Sequence, residues 1–283
     1  MLTILGLELL VDRSWADILS AHPMTTYDRV YIAKRQQSKA RPRRFSTIQR
    51  QEAADTSTSG EVTALGSQQP LSVAILAGGQ SRRMGRDKAL LEVQGRTLLE
   101  RVIERAGAVA SEIFIVAYDR PEYERFGLRV VPDRFPHSGS LGGIYTGVSE
   151  AVHDACLVLA CDLPFVNVAL LSHMASLPRD YDVLVPALAA ERSGQGGKET
   201  LETLHAIYGK ACEPVMEERL RAGAFKIVEA FSGLRVRRIP EAEIRAFDPE
   251  LLSFFNANTP DEFTWVQQRL ADLEQGPGRP FLA

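Results

Sequence analysis

Cysteine is scarce in this chain: there are three among 283 residues, Cys156, Cys161 and Cys212, with no C-x-x-C pair. An odd count without that spacing excludes a disulfide framework and offers no zinc-binding pattern. A reducing cytoplasm is the simplest setting. Long apolar runs are missing too. Met1 to Val11 is apolar, but it carries Glu8, has no basic leader or small-residue cleavage site and is too short to span a bilayer, so neither export nor a membrane is expected. Nor does charge of one sign dominate: 33 Lys and Arg against 36 Asp and Glu leave a net −3. That balance argues against a general nucleic-acid binder and points to small anions held locally. The length allows one large α/β domain with an appendage, and the 45% hydrophobic content is that of a globular protein.

Two familiar phosphate loops are also missing. A Walker A loop places four residues between its glycines and then Lys-Ser/Thr, whereas five separate Gly79 from Gly85 here and Arg86 follows. The dinucleotide pattern G-x-G-x-x-G does not occur. What the chain does have is LSVAILAGGQSRRMGRDKALL, Leu71 to Leu91. Ser72 to Ala77 is apolar and β-branched without helical spacing and reads as a buried strand, which Gly78-Gly79 ends. Glycine lets a backbone approach a ligand closely and turn successive N–H groups towards its oxygens. Arg82, Arg83, Arg86 and Lys88 crowd this loop against one acid, Asp87, so the implied ligand is a polyphosphate.

Downstream, the pattern alternates. A helix is expected over Thr97 to Val109, strands over Ile113 to Ala117 and Leu128 to Val131, and a helix from a second glycine-rich turn, Ser138 to Gly143, to about Val152. Strand, helix, strand makes a parallel sheet, with ligands at the carboxyl ends of its strands. Asp133 sits at such an end, where an aspartate is ordinarily a turn or cap residue. Cys156 to Cys161 is a third buried strand, ending in Asp162-Leu163-Pro164. A carboxylate at that point is placed to hold Mg²⁺, a hard cation bound by one or two carboxylates with phosphate oxygens and water. Further strands are expected over Asp182 to Pro186 and Leu204 to Tyr208, and helices over Glu213 to Arg221 and Ala224 to Phe231. His205 either faces the site or pairs with a backbone carbonyl, the second being preferred. Lys226 is by default an exposed helical lysine. Thr259, Pro260 and Glu262 form a capping box for a last helix to about Leu273. Asn256 and Asn258, on alternate residues just before it, share one face of an extended segment.

The ordered pattern L-A-G-G-x-S-x-R-M-G-x-D-K from Leu76 to Lys88, the Cys161-Asp162-x-Pro164 element and Asn256-x-Asn258-Thr259-Pro260 together resemble the molybdenum cofactor guanylyltransferases, a MobA-like nucleotidyltransferase family. The resemblance covers about Leu71 to Leu273. It implies a three-layer Rossmann-like nucleotidyltransferase fold with a mostly parallel sheet, and transfer of GMP from MgGTP to molybdenum-molybdopterin with release of pyrophosphate. It further implies that GTP is bound by Leu76, Ala77, Gly78, Gly79, Lys88, Asp133, Gly142 and Asp162. The catalytic residues would be Lys88, Arg82 and Asp162, with Asp162 holding Mg²⁺ as cofactor, and Asn256 and Asn258 would lie beside molybdopterin. Molybdenum-insertion and molybdoenzyme maturation proteins are the partners it implies. One departure is Val116, where some members carry a nucleotide-contacting asparagine.

The expected domain is therefore 71–275, with a loose tail at 276–283. Residues 1–70 differ: Arg29 to Arg50 is basic without an acid, and Thr56 to Pro70 is rich in Ser, Thr, Gly and Gln, a composition that cannot bury enough apolar surface to offset ordering. A disordered extension is expected, either a solvated arm or one that touches RNA or an acidic protein, the first being preferred. Three rival readings remain: a CTP-using cytidylyltransferase for the same cofactor, another nucleotidyltransferase acting on a sugar phosphate or isoprenoid precursor, and a nucleotide-binding adaptor without turnover.

Overall fold

The computed structural model describes residues 69–78, 87–189 and 199–275. The basic extension, the loop residues Gly79 and Arg82 with their neighbours, the polar 190–198 segment and the tail at 276–283 lie outside the described residues.

The sheet is built around β1 (Ser72–Leu76), apolar on both faces after Ser72 and almost wholly buried. A strand without a solvated face belongs in the middle of a covered parallel sheet. On one side of it lie β4 (Glu112–Val116) and then β5 (Arg129–Val131), on the other β6 (Ala155–Ala160), all parallel. Beyond β6 the direction changes. The strand β9 (His205–Gly209) runs antiparallel to both β6 and β7 (Val183–Leu188), and β10 (Val236–Pro240) completes that edge parallel to β7. A short β8 (Thr200–Leu201) pairs antiparallel with β7. The order is β10-β7-β9-β6-β1-β4-β5. The expected mostly parallel sheet is present, with antiparallel pairing confined to one half.

Between β1 and β4, β2 (Glu92–Val93) and β3 (Arg96–Thr97) form a hairpin whose turn, Gln94-Gly95, has both residues at positive φ. Helix α1 (Leu98–Ala106) begins one residue later than the spacing implies, because Thr97 is its N-cap: the Glu100 N–H donates to the Thr97 side chain while the Glu100 carboxylate accepts the Thr97 N–H. The remaining helices are α2 (Ser140–Glu150), α3 (Val168–Ser176), α4 (Cys212–Arg221), α5 (Glu241–Ile244) and α6 (Pro260–Gln275).

Side chains alternate across the sheet and divide the core in two. Val73 and Ile75 pack with Leu99, Val102, Leu171 and Met174 from α1 and α3. Ala74 and Val158 pack on the other face with Leu141, Ile144 and Met216 from α2 and α4. The result is three layers. Helix α2 lies especially close to β1, since a Cβ at Gly147 would come 2.8 Å from the Ala74 Cβ. One expected helix is shorter and tighter: after Gly223, at φ +71, the chain forms only a 3₁₀ turn over Ile227–Phe231. Lys226 precedes that turn, 83% exposed at its side chain and 3.3 Å from Glu229.

Candidate active site

At the carboxyl ends of the strands a cleft of about 790 Å³ opens, and its walls follow the order of the sheet. Leu76, Ala77 and Gly78 contribute from the end of β1, Val116, Tyr118, Asp119 and Arg120 from that of β4, Asp133 from β5, and Ala160, Cys161 and Asp162 from β6. The chain leaving β1 stays clipped to both neighbours, because the Ala77 N–H donates to the Val116 carbonyl (2.9 Å) and the Cys161 N–H to the Leu76 carbonyl (3.1 Å). A Cβ at Gly78 would meet nothing closer than 3.9 Å. Packing therefore does not require glycine there; its absent side chain keeps the backbone open to the cleft.

Lys88 is carried by a 3₁₀ turn, Lys88–Leu90, capped by Asp87, whose Oδ1 accepts the Ala89 N–H (3.0 Å). Its ammonium donates to Asn258 Oδ1 (2.7 Å) and lies 3.6 Å from Asp162 Oδ2. Asp162 is drawn two ways. Burial pushes its carboxyl above the usual aspartate range, and Lys88 pulls it back down. A carboxylate so short of water and faced by a single ammonium favours further cationic charge.

The segment that brings Asn258 here is held at both ends. The Ala257 N–H donates to the Asp162 carbonyl (3.3 Å). The Asn258 and Thr259 N–H groups both donate to Glu262 Oε2 (2.8 Å each), and the Glu262 N–H donates to Thr259 Oγ1 (3.2 Å), the expected capping box. Ala257 is buried and both flanking asparagines are exposed, so Asn256 and Asn258 share the solvent side as their spacing requires.

Asp133 combines both of its readings. It lines the cleft, and its Oδ1 accepts the Phe135 N–H (2.9 Å) and the Thr146 hydroxyl (3.2 Å) as a turn residue would. Gly142, expected to contact nucleotide, is not among the cleft-lining residues; Gly139, Ser140 and Gly143 are. A Cβ at Gly142 would stand 2.1 Å from Ser138 Oγ, 2.7 Å from the Phe135 carbonyl and 3.1 Å from Asp133 Oδ1. That glycine lets the turn carrying Asp133 lie down on α2. His205 is fully buried edge-on against Phe254, 5.1 Å between ring centres, and burial pushes its pKa down to about 4. It does not line the cleft, though its neighbour Leu204 does.

Sequence reasoning missed three side chains. Tyr123, fully buried 36 residues beyond Asp87, donates its hydroxyl to Asp87 Oδ2 (2.7 Å), with the Ala77 carbonyl 3.3 Å away. Burial and the adjacent Asp87 carboxylate push its pKa well above the ordinary phenol value. Arg120 places Nε 3.5 Å from the same Asp87 oxygen. Thr146, buried on α2, donates to Asp133 and accepts the Arg134 N–H (3.0 Å). No local signal marks these partners, which the sheet brings together. The cysteines are free, and burial pushes the Cys161 thiol, beside Asp162, well above its usual pKa, so it is protonated and inert as a nucleophile at neutral pH.

A three-layer sheet with a glycine turn after its central strand, and a lysine facing an aspartate at the end of the next strand, defines an α/β enzyme of nucleotidyl transfer. The description of the MobA-like NTP transferase domain matches residues 73–237. The chain belongs to that family. It is 38% identical over 208 residues to a probable molybdenum cofactor guanylyltransferase of Pelotomaculum thermopropionicum, spanning 74% of this chain and 96% of that protein. It is 37% identical over 190 residues to the molybdenum cofactor guanylyltransferase of Desulfosudis oleivorans, spanning 66% and 90%. Among solved structures it resembles molybdopterin-guanine dinucleotide biosynthesis protein A from Archaeoglobus fulgidus, with a TM-score of 0.60 and 28% identity over 71% of this chain and 99% of that one.

Nucleotidyltransferases of this kind generally use a divalent metal. The donor set fits one. The described residues contain no cluster of three or more His, Cys, Asp or Glu, so a metal at Asp162 would take its other ligands from substrate phosphates and water. No helix among the described residues is long and apolar enough to cross a membrane.

Proposed function

We propose that this protein transfers GMP from MgGTP to the terminal phosphate of molybdenum-loaded molybdopterin, producing the guanine dinucleotide form of the cofactor and pyrophosphate. The observation that carries the reading is Lys88, whose ammonium lies between Asp162 and the Asn258 amide, 3.6 and 2.7 Å away. It stands where a donor triphosphate on the glycine turn and an acceptor beside Asn256 and Asn258 would meet.

In the reaction an acceptor phosphate oxygen forms a bond to the α-phosphorus, and the bridge to the β-phosphate breaks. The acceptor is already ionised at neutral pH, so the site needs no general base. It needs positive charge where negative charge accumulates. Lys88 and Arg82 supply that charge, and the backbone amide of Gly78, just beyond the Ala77 N–H that is spent on Val116, orients the phosphates. Asp162 would hold Mg²⁺, which supplies Lewis acidity to the phosphates when bound. Asp133 accepts hydrogen bonds from the nucleoside with the oxygen that the turn leaves over, and Tyr118, 58% exposed on the cleft wall, offers an aromatic face near it.

Pyrophosphate release and dinucleotide formation, measured with Mg²⁺, molybdenum-loaded molybdopterin and either GTP or CTP, test the reading. Turnover with GTP supports it. Turnover with CTP alone keeps the chemistry and changes the product, and binding without turnover by either nucleotide would make the protein an adaptor.

A further inference from the structure

Lysine is a poor aiming device. Its flexible four-carbon stem carries large rotamer entropy, so an ammonium meant for one phosphate must be held before that phosphate arrives. Asp162, at 3.6 Å, attracts Lys88 but sets no direction. The bond to Asn258 Oδ1, at 2.7 Å and across 170 residues of chain, does. Its acceptor is a neutral amide, which orients the ammonium without cancelling its charge. An ammonium has three N–H donors, so this bond is compatible with donation to a phosphate. The mount is rigid, since the Asn258 N–H is tied to Glu262 and the Ala257 N–H to the Asp162 carbonyl.

We infer that Asn258 is a positioning residue for the donor nucleotide: it aims Lys88 at the triphosphate before any acceptor binds. This goes beyond a contact with the acceptor, and it rests on the proposed assignment of Lys88 to the donor. The two roles make different demands. A residue that only touches the acceptor has no effect on GTP binding in the acceptor's absence, whereas one that aims Lys88 does.

The test is calorimetric titration of the full-length protein with MgGTP and no acceptor. Asn258→Ala is expected to weaken binding about tenfold, the scale of one hydrogen bond to a charged group. Asn258→Asp is expected to weaken it at least as much, because the new carboxylate neutralises Lys88 and repels the triphosphate. Asn258 is exposed, so both variants keep the fold. Wild-type GTP affinity in both, with the loss confined to the acceptor KM, would overturn the inference. Lys88→Ala separates the two claims. If it binds GTP normally, the donor assignment fails and this inference with it. If it binds weakly while both Asn258 variants bind normally, only the role of Asn258 is lost.

Discussion

On the β1–β4–β5 side of the cleft, several site residues are held by close neighbours in sequence. Asp87 accepts the Ala89 N–H two residues on, Asp133 accepts the Phe135 N–H two residues on, and Ser138 donates to the Phe135 carbonyl three residues back. On the β6–β9 side the ties are long. The Asn167 N–H donates to Ser253 Oγ 86 residues away, the Ala257 N–H to the Asp162 carbonyl, and Lys88 to Asn258 170 residues away. One side is assembled by turn chemistry and the other by closure of the whole sheet. It follows that changes on the first side act within a turn, whereas changes on the second act through burial and charge.

The largest effect is expected where the sides meet. Lys88→Ala or Asp162→Ala should lower kcat about a thousandfold, the scale of removing a preorganised charge from a transition state, with the unfolding midpoint nearly unchanged. Steady-state pyrophosphate release together with thermal melts checks this, and an unaffected rate in either variant would move the chemistry elsewhere. Next comes a break confined to one turn. Gly142→Ala drives a methyl into the Phe135 carbonyl and Ser138 Oγ and should cost about 1–3 kcal/mol in denaturant unfolding, with weaker GTP binding as Asp133 shifts.

Tyr123→Phe sharpens the comparison because it removes a long tie on the side where turns hold several site residues. It strips Asp87 Oδ2 of its 2.7 Å donor and leaves that oxygen to Arg120, while Oδ1 keeps the Ala89 N–H. GTP kcat/KM should fall about tenfold, mostly through KM, as Asp87 turns towards the phosphates. A fall in stability with unchanged kinetics would make Tyr123 purely a packing residue.

The smallest effect lies beyond β8. Burial pushes the Glu202 carboxyl up from 4.5 to about 7. Above pH 7 it is ionised in both folded and unfolded chains, and the fold bears the full cost of a desolvated charge. Between pH 7 and 4.5 only the unfolded chain is largely ionised, so that cost shrinks as pH falls. Glu202→Gln should therefore stabilise the protein more at pH 8 than at pH 5. Urea titrations at the two values decide it, and equal gains would place the carboxyl in water.

What was legible in the amino-acid order was whatever a few consecutive residues decide. Val73 to Leu76 could only be a covered strand, Gly78 only an open turn, and Thr259 with Glu262 only a helix start, because burial pattern, the missing glycine side chain and capping bonds operate within one turn. That order also carried the family resemblance and the alternation of Asn256 with Asn258. It misassigned the stretch before Phe231, where after the break at Gly223 the chain stays extended at Lys226 and then forms only a 3₁₀ turn. Only the tertiary structure decided that β9 runs against β6, that Tyr123 holds Asp87, that Gly142 lets the Asp133 turn lie on α2, and that Lys88 rests on Asn258. The reason is physical: a side chain's partner and the charge it feels depend on strand order and exclusion of water, which no window of the chain contains.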